Sequence, residues 1–104
     1  MKDIVIFITA GSRAEARKIA KCLVGRRLAA CVNIVPDIES VYTWKGKTET
    51  AREVLLIAKS KKRLFARIEK AVKGLHSYEC PEIIALSIVD GSRDYLKWIE
   101  GSTL

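Results

Sequence analysis

The chain has 104 residues, 49% hydrophobic and 30% charged, with 19 lysines and arginines against 12 aspartates and glutamates and a formal charge of +7 at pH 7. A chain of this size and balance is expected to form one folded domain, burying roughly 60–65% of its unfolded surface, and is not disordered. No apolar run reaches the ~20 residues of a membrane span and the first apolar stretch is too short for a signal peptide, so a cytoplasmic protein without membrane contact is expected.

Asp3 to Ala10 is a near-continuous apolar strand of the kind buried on both faces. Gly11-Ser12 ends it, and Ser12 with Glu15 makes a capping box for a helix. Ala16, Ile19, Ala20, Leu23 and Val24 form that helix's apolar stripe, with Gly25 near its end.

From Leu28 to Ser60 the chain reads as two long strands folded back around Trp44-Lys45-Gly46-Lys47. Ala30, Val32 and Ile34 alternate with Ala29, Cys31, Asn33 and Val35. Pro36 interrupts, and then Ile38, Tyr42 and Trp44 share one face. The return strand, Thr48 to Lys59, is apolar on both faces from Val54 to Ala58 and polar near the turn, where it carries Glu49, Arg52 and Glu53. Gly46 supplies the backbone freedom of a tight hairpin. A strand of about 12 residues spans roughly 40 Å, against a radius of gyration near ~13 Å for a compact chain of this length. The ribbon is therefore expected to overhang its domain and pair with other copies.

Ser60 can cap a second helix with the stripe Leu64, Ile68, Val72 and Leu75, and Gly74 lies close to its C-terminus. His76 to Pro81 is a connector, because the position before Pro81 disfavours helix. Glu82 to Val89 is another apolar strand, and Asp90-Gly91-Ser92 turns into a last helix carrying Tyr95, Leu96, Trp98 and Ile99. The order β-α-β-β-α-β plus a C-terminal helix is an α+β, ferredoxin-like split βαβ pattern: one antiparallel sheet with helices on one face. Gly-Ser-Arg occurs at 11–13 and 91–93, each time before a helix, where capping explains it and an anion site is the alternative.

Chemistry-bearing patterns are few. One histidine excludes multi-histidine zinc motifs, and no phosphate loop, GxGxxG or GxSxG element is present. Glu49 and Glu53 share a strand face about 13 Å apart, too far for a retaining acid/base pair. A non-enzyme is expected. Cys22, Cys31 and Cys80 lack paired spacing and read as small hydrophobes. His76 reads either as a hydrogen-bonded structural group or as a metal ligand assisted by Cys80, Glu79 or a neighbouring subunit. Tyr42 and Trp44 either pack against an adjoining subunit or line a ligand cleft. The basic charge invites a single-stranded nucleic-acid module, but its residues are scattered over helix faces and Glu53 to Ala58 offers no aromatic for base stacking.

Four motifs in order carry a resemblance: Leu28-Ala29-Ala30-Cys31-Val32-Asn33; Tyr42-x-Trp44-x-Gly46-Lys47; His76-x-Tyr78-Glu79-x-Pro81-Glu82-Ile83; and Tyr95-Leu96-x-Trp98. Together they resemble the CutA family, the divalent-cation tolerance proteins, over essentially the whole chain. The resemblance implies a homotrimer similar in architecture to the PII signalling proteins, and a response to Cu2+ or another divalent cation with no obligatory cofactor. It implies a copper site that, in some members, uses a first-strand cysteine and a connector histidine; those positions are Ile8 and His76 here. Cys31 is a further candidate ligand. Clefts between subunits are expected to hold a metal or small anionic ligand, lined by Tyr42, Trp44, Lys59, His76, Tyr78 and Glu79.

Overall fold

The computed structural model describes residues 2–104. Its elements run β1 (Asp3–Ala10), α1 (Arg13–Gly25), β2 (Cys31–Trp44), β3 (Lys47–Lys61), α2 (Phe65–Leu75), β4 (Ile83–Ser87) and α3 (Arg93–Ser102), with a short 3-10 turn at Lys62–Leu64 leading into α2. The strands form one antiparallel sheet in the order β2-β3-β1-β4. This is the ferredoxin-like arrangement, in which β3 lies between the two strands that flank α1.

Strand alternation sorts the sheet into two faces. Ile4, Ile6, Ile8 and Ala10 of β1 pair with Ser60, Ala58, Leu56 and Val54 of β3, and all eight are buried. They meet Ala16, Ile19, Ala20 and Leu23 of α1 and Ile68 and Val72 of α2 in the core. The stripes read at helical period face inward because successive turns bring them to one side.

The opposite face is not covered in the same way. Val5, Phe7, Leu55 and Ile57 are half-buried, and Val35, Ile84 and Leu86 are exposed. The expectation that β1 is buried on both faces is thus corrected. Both core helices lie on one side, and α3 shields only one end of the other. That end is fixed by Ile99, fully buried, and by contacts from Tyr95 to Cys31 and from Lys61 to the Thr103 carbonyl.

Three local expectations also change. Ser12 caps α1 by accepting from the Glu15 N–H at 3.2 Å, but the Glu15 carboxylate turns away from the helix to accept from the Ser77 N–H at 3.2 Å. Ser60 caps nothing; it is a buried strand residue whose hydroxyl donates to the Leu28 carbonyl, and β3 runs on to Lys61. The last strand, Ile83–Ser87, is shorter than the apolar run Glu82 to Val89, because its pairing with β1 extends only from Ile83 opposite Ile8 to Ser87 opposite Ile4. Ser92 caps α3 as Ser12 caps α1, so both Gly-Ser-Arg copies are helix entries.

The hairpin has 14 residues on β2 and 15 on β3, and every residue from Val41 to Thr50 is exposed. Lys45 (φ 52°) and Gly46 (φ 79°) both take the left-handed region, and Trp44 pairs with Lys47. This is the two-residue primed turn that matches strand twist. The molecule measures 44 × 25 × 23 Å, the long axis reflecting this arm.

Candidate functional site

The position of the aromatic residues on the arm depends on one irregularity. Val32 and Ile34 of β2 pair with Ala58 and Leu56 on the core face. Between Val35 and Ile38 the register shifts, and Asp37 adopts φ 61° after Pro36. One strand gains a residue at such a bulge, so alternation inverts beyond it. Ile38, Ser40, Tyr42 and Trp44 therefore pair with Glu53, Ala51, Glu49 and Lys47, on the face away from the core. Arg13 holds the bulge from α1 through an exposed ion pair to Asp37 at 3.3 Å.

At this end of the sheet β1 stops at Ala10 and the arm continues alone. The connector after α2 crosses the gap and leaves a cleft of about 540 Å³ lined by Thr9, Ser40, Val41, Tyr42, Trp44, Glu53, Tyr78, Glu79, Cys80 and Glu82. Tyr42, Trp44, Tyr78 and Glu79, expected to line clefts between subunits, border this hollow within one chain. Glu53 is an addition: it is only 8% exposed, and its carboxylate accepts from the Tyr78 hydroxyl at 2.7 Å. Burial first, and then the bond to Glu53, push the Tyr78 phenol far above its ordinary value, so it stays a donor. Gly11 leaves room for this ring, since a Cβ there would stand 3.2 Å from the Tyr78 oxygen.

His76 does not face the cleft. Its side chain is fully buried, with the ring stacked at a tilt on Tyr78 and centroids 4.7 Å apart. Nδ1 accepts from the Tyr78 N–H at 3.0 Å, which leaves Nε2 to donate to the Thr9 carbonyl at 2.7 Å. Glu15 Oε1 lies 3.5 Å from Nδ1. Both ring nitrogens are engaged within the chain, so His76 pins the connector to the end of β1 and is absent from the lining of the cleft it was expected to border.

Lys59 and Cys31 are likewise elsewhere. Lys59 donates to the Asn33 side chain, six strand positions from Glu53 and so about 20 Å away. Cys31 pairs with Lys59, and its thiol lies 3.6 Å from the Tyr95 hydroxyl under α3. Ile8 is wholly buried in the core. No group of three His, Cys, Asp or Glu side chains arranged to hold a metal occurs among the described residues. The charged residues lining this cleft are three glutamates, Glu53, Glu79 and Glu82, without a lysine or arginine. A basic hollow exists at the other end, lined by Lys2, Lys61, Lys62 and Arg63. There Lys61 and Arg63 donate to the Leu104 carbonyl, and Lys2 and Lys61 face Glu100 at 3.5 and 3.8 Å.

With fold and cleft in view, comparison with known proteins is decisive. The family model described as "CutA1 divalent ion tolerance protein" matches residues 4–102. The chain belongs to the CutA1 family. It is 48% identical over 99 residues to the divalent-cation tolerance protein CutA of Thermus thermophilus, covering 95% of this chain and 96% of that one. A solved structure of the divalent cation tolerance protein from Thermus thermophilus superposes with a TM-score of 0.95 at 46% identity, covering 97% of this chain and 98% of that one. The chloroplastic CutA of Arabidopsis thaliana is 46% identical over 97% of this chain, which spans only 56% of the plant protein's length. A CutA structure from Archaeoglobus fulgidus, described as periplasmic, gives a TM-score of 0.93 at 44% identity over 96% of this chain and 97% of that one. CutA1 relatives thus occupy several compartments with one fold. The cytoplasmic location expected from the sequence is overturned by these chloroplastic and periplasmic relatives.

Proposed function

We propose that this CutA1 family member is a non-catalytic homotrimer of PII-like architecture that binds cations in the cleft between its arm and connector, in the service of divalent-cation tolerance. The observation that carries the reading is the lining itself, with Glu53, Glu79 and Glu82 facing one hollow on a chain whose net charge is +7. Three acidic residues bordering one hollow, with no basic residue among its lining, favour a cation over an anion by direct Coulomb attraction. Cu2+ or another divalent cation would be held by these carboxylates and completed by a neighbouring copy, since one chain brings no closed donor set among its described residues.

The assembly is supported by the half-bare sheet face of Phe7, Val35, Leu55, Ile57, Ile84 and Leu86. Contiguous apolar patches of this kind mark interfaces. Two edge strands, β2 and β4, are open to pairing as well. Sedimentation equilibrium should give three times 11.6 kDa, and a single-chain mass would overturn the assembly. Calorimetry with Cu2+, Zn2+ and Mg2+ should show saturable binding that weakens in Glu79→Gln. Absence of heat with all three would overturn the metal reading.

A further inference from the structure

The cleft's carboxylates are only part of its lining. Tyr42, Trp44 and Tyr78 also border it, and they remain 43%, 41% and 36% exposed in the single chain. An inorganic divalent ion keeps its hydration shell or exchanges it for oxygen and nitrogen donors, and it gains little from a ring face. An alkylated ammonium ion is large, weakly hydrated and attracted to the negative face of an indole or phenol. Three ring systems and three glutamates around one hollow of about 540 Å³ match that chemistry, and the volume lies in the range of small-molecule sites. The arm shows the same attraction internally: the Lys45 ammonium lies 5.8 Å from the centre of the Trp44 ring.

We infer that the cleft is a receptor for small organic ammonium ions, with Trp44 and Tyr42 as aromatic walls and Glu53 as the buried counter-charge. This rests on the reading of the cleft as a cation site and narrows it. Glu53 suits the part because it is buried yet held in place by the Tyr78 hydroxyl. Its charge is thus fixed before a ligand arrives, which lowers the ordering needed on binding.

The test is calorimetry on the purified full chain with tetramethylammonium and with tert-butanol, an uncharged molecule of similar size. Tetramethylammonium should bind saturably, and tert-butanol at least tenfold more weakly. Trp44→Leu should weaken the ammonium about three- to tenfold, the usual reach of a cation–π contact. Glu53→Gln retains an acceptor for Tyr78 while removing the charge, and should weaken it by a similar factor. Both variants are checked for native circular dichroism, and the Trp44 indole N–H signal in NMR reports binding in the Glu53 variant. Equal affinity for tert-butanol, or undiminished binding in folded Trp44→Leu, overturns the inference. Cu2+ is titrated in parallel: copper binding without ammonium binding overturns this inference alone, and absence of both overturns the cation cleft itself.

Discussion

Replacing His76 by phenylalanine keeps the ring volume and removes both of its hydrogen bonds. The buried side chain donates to the Thr9 carbonyl and accepts from the Tyr78 N–H. Thr9 is itself buried, so its carbonyl would be left without this donor, at about 1–3 kcal/mol. Tyr78 lies on an exposed connector where water can replace the lost acceptor, so that bond should contribute only about 0.5–1 kcal/mol. The expected loss is therefore about 1.5–4 kcal/mol. With a urea m-value of roughly 2 kcal/mol/M, the midpoint should fall by about 0.75–2 M. Unfolding is followed by circular dichroism at one fixed chain concentration, because assembly makes stability depend on it. Copper calorimetry is run on the same samples below the transition. A midpoint unchanged within error, accompanied by lost copper binding, would refute the pinning role and restore His76 as a ligand.

Other perturbations probe the remaining links. Tyr78→Phe leaves the buried Glu53 carboxylate without its phenol donor and should destabilise the chain by about 1.5–2 kcal/mol in urea unfolding. Deleting Asp37 removes the extra residue between the Val35–Leu55 and Ile38–Glu53 pairs and leaves the pairs beyond it intact, so Tyr42 and Trp44 should keep their face and tetramethylammonium binding should persist while the circular dichroism stays native. Leu86→Asp places a charge on the bare sheet face and should shift sedimentation from trimer toward monomer. Asp3 Oδ1 and Glu100 Oε2 are buried without a protein donor among the described residues: burial, then a proton shared with Glu100, raise the Asp3 carboxyl. Burial acts upward on Glu100 too, but the bond from Asp3 and the charges of Lys2 and Lys61 outweigh it and hold Glu100 down. A raised acid stabilises the fold below its unfolded value of 3.8 and loses that contribution as pH rises through the folded value. Asp3→Asn, a permanent neutral donor, should therefore raise the melting temperature at pH 7.5, with the advantage shrinking toward pH 4. An equal gain at both pH values would count against the shared proton.

The local grammar of this chain is written in its residues. Period-two alternation, two Ser caps, a Lys-Gly turn and helical stripes specify the elements and their order, because each depends on neighbours within a few positions. The connector residues Tyr78 and Glu79 and the aromatic arm stood out as candidates through the family motifs they belong to. What only the tertiary structure decided is which groups meet. The Pro36-Asp37 bulge inverts the arm's alternation, and that inversion carries Tyr42 and Trp44 to the face where Glu53 and Tyr78 wait. Nothing in the spacing of His76 revealed that both nitrogens would be spent on Thr9 and Tyr78, 67 and 2 positions away in the chain. Lys59 reads as a site residue until strand register puts it at the far end of the sheet. A side chain's chemistry is set by its type, but its partners are set by register and crossover, which are properties of the packed whole.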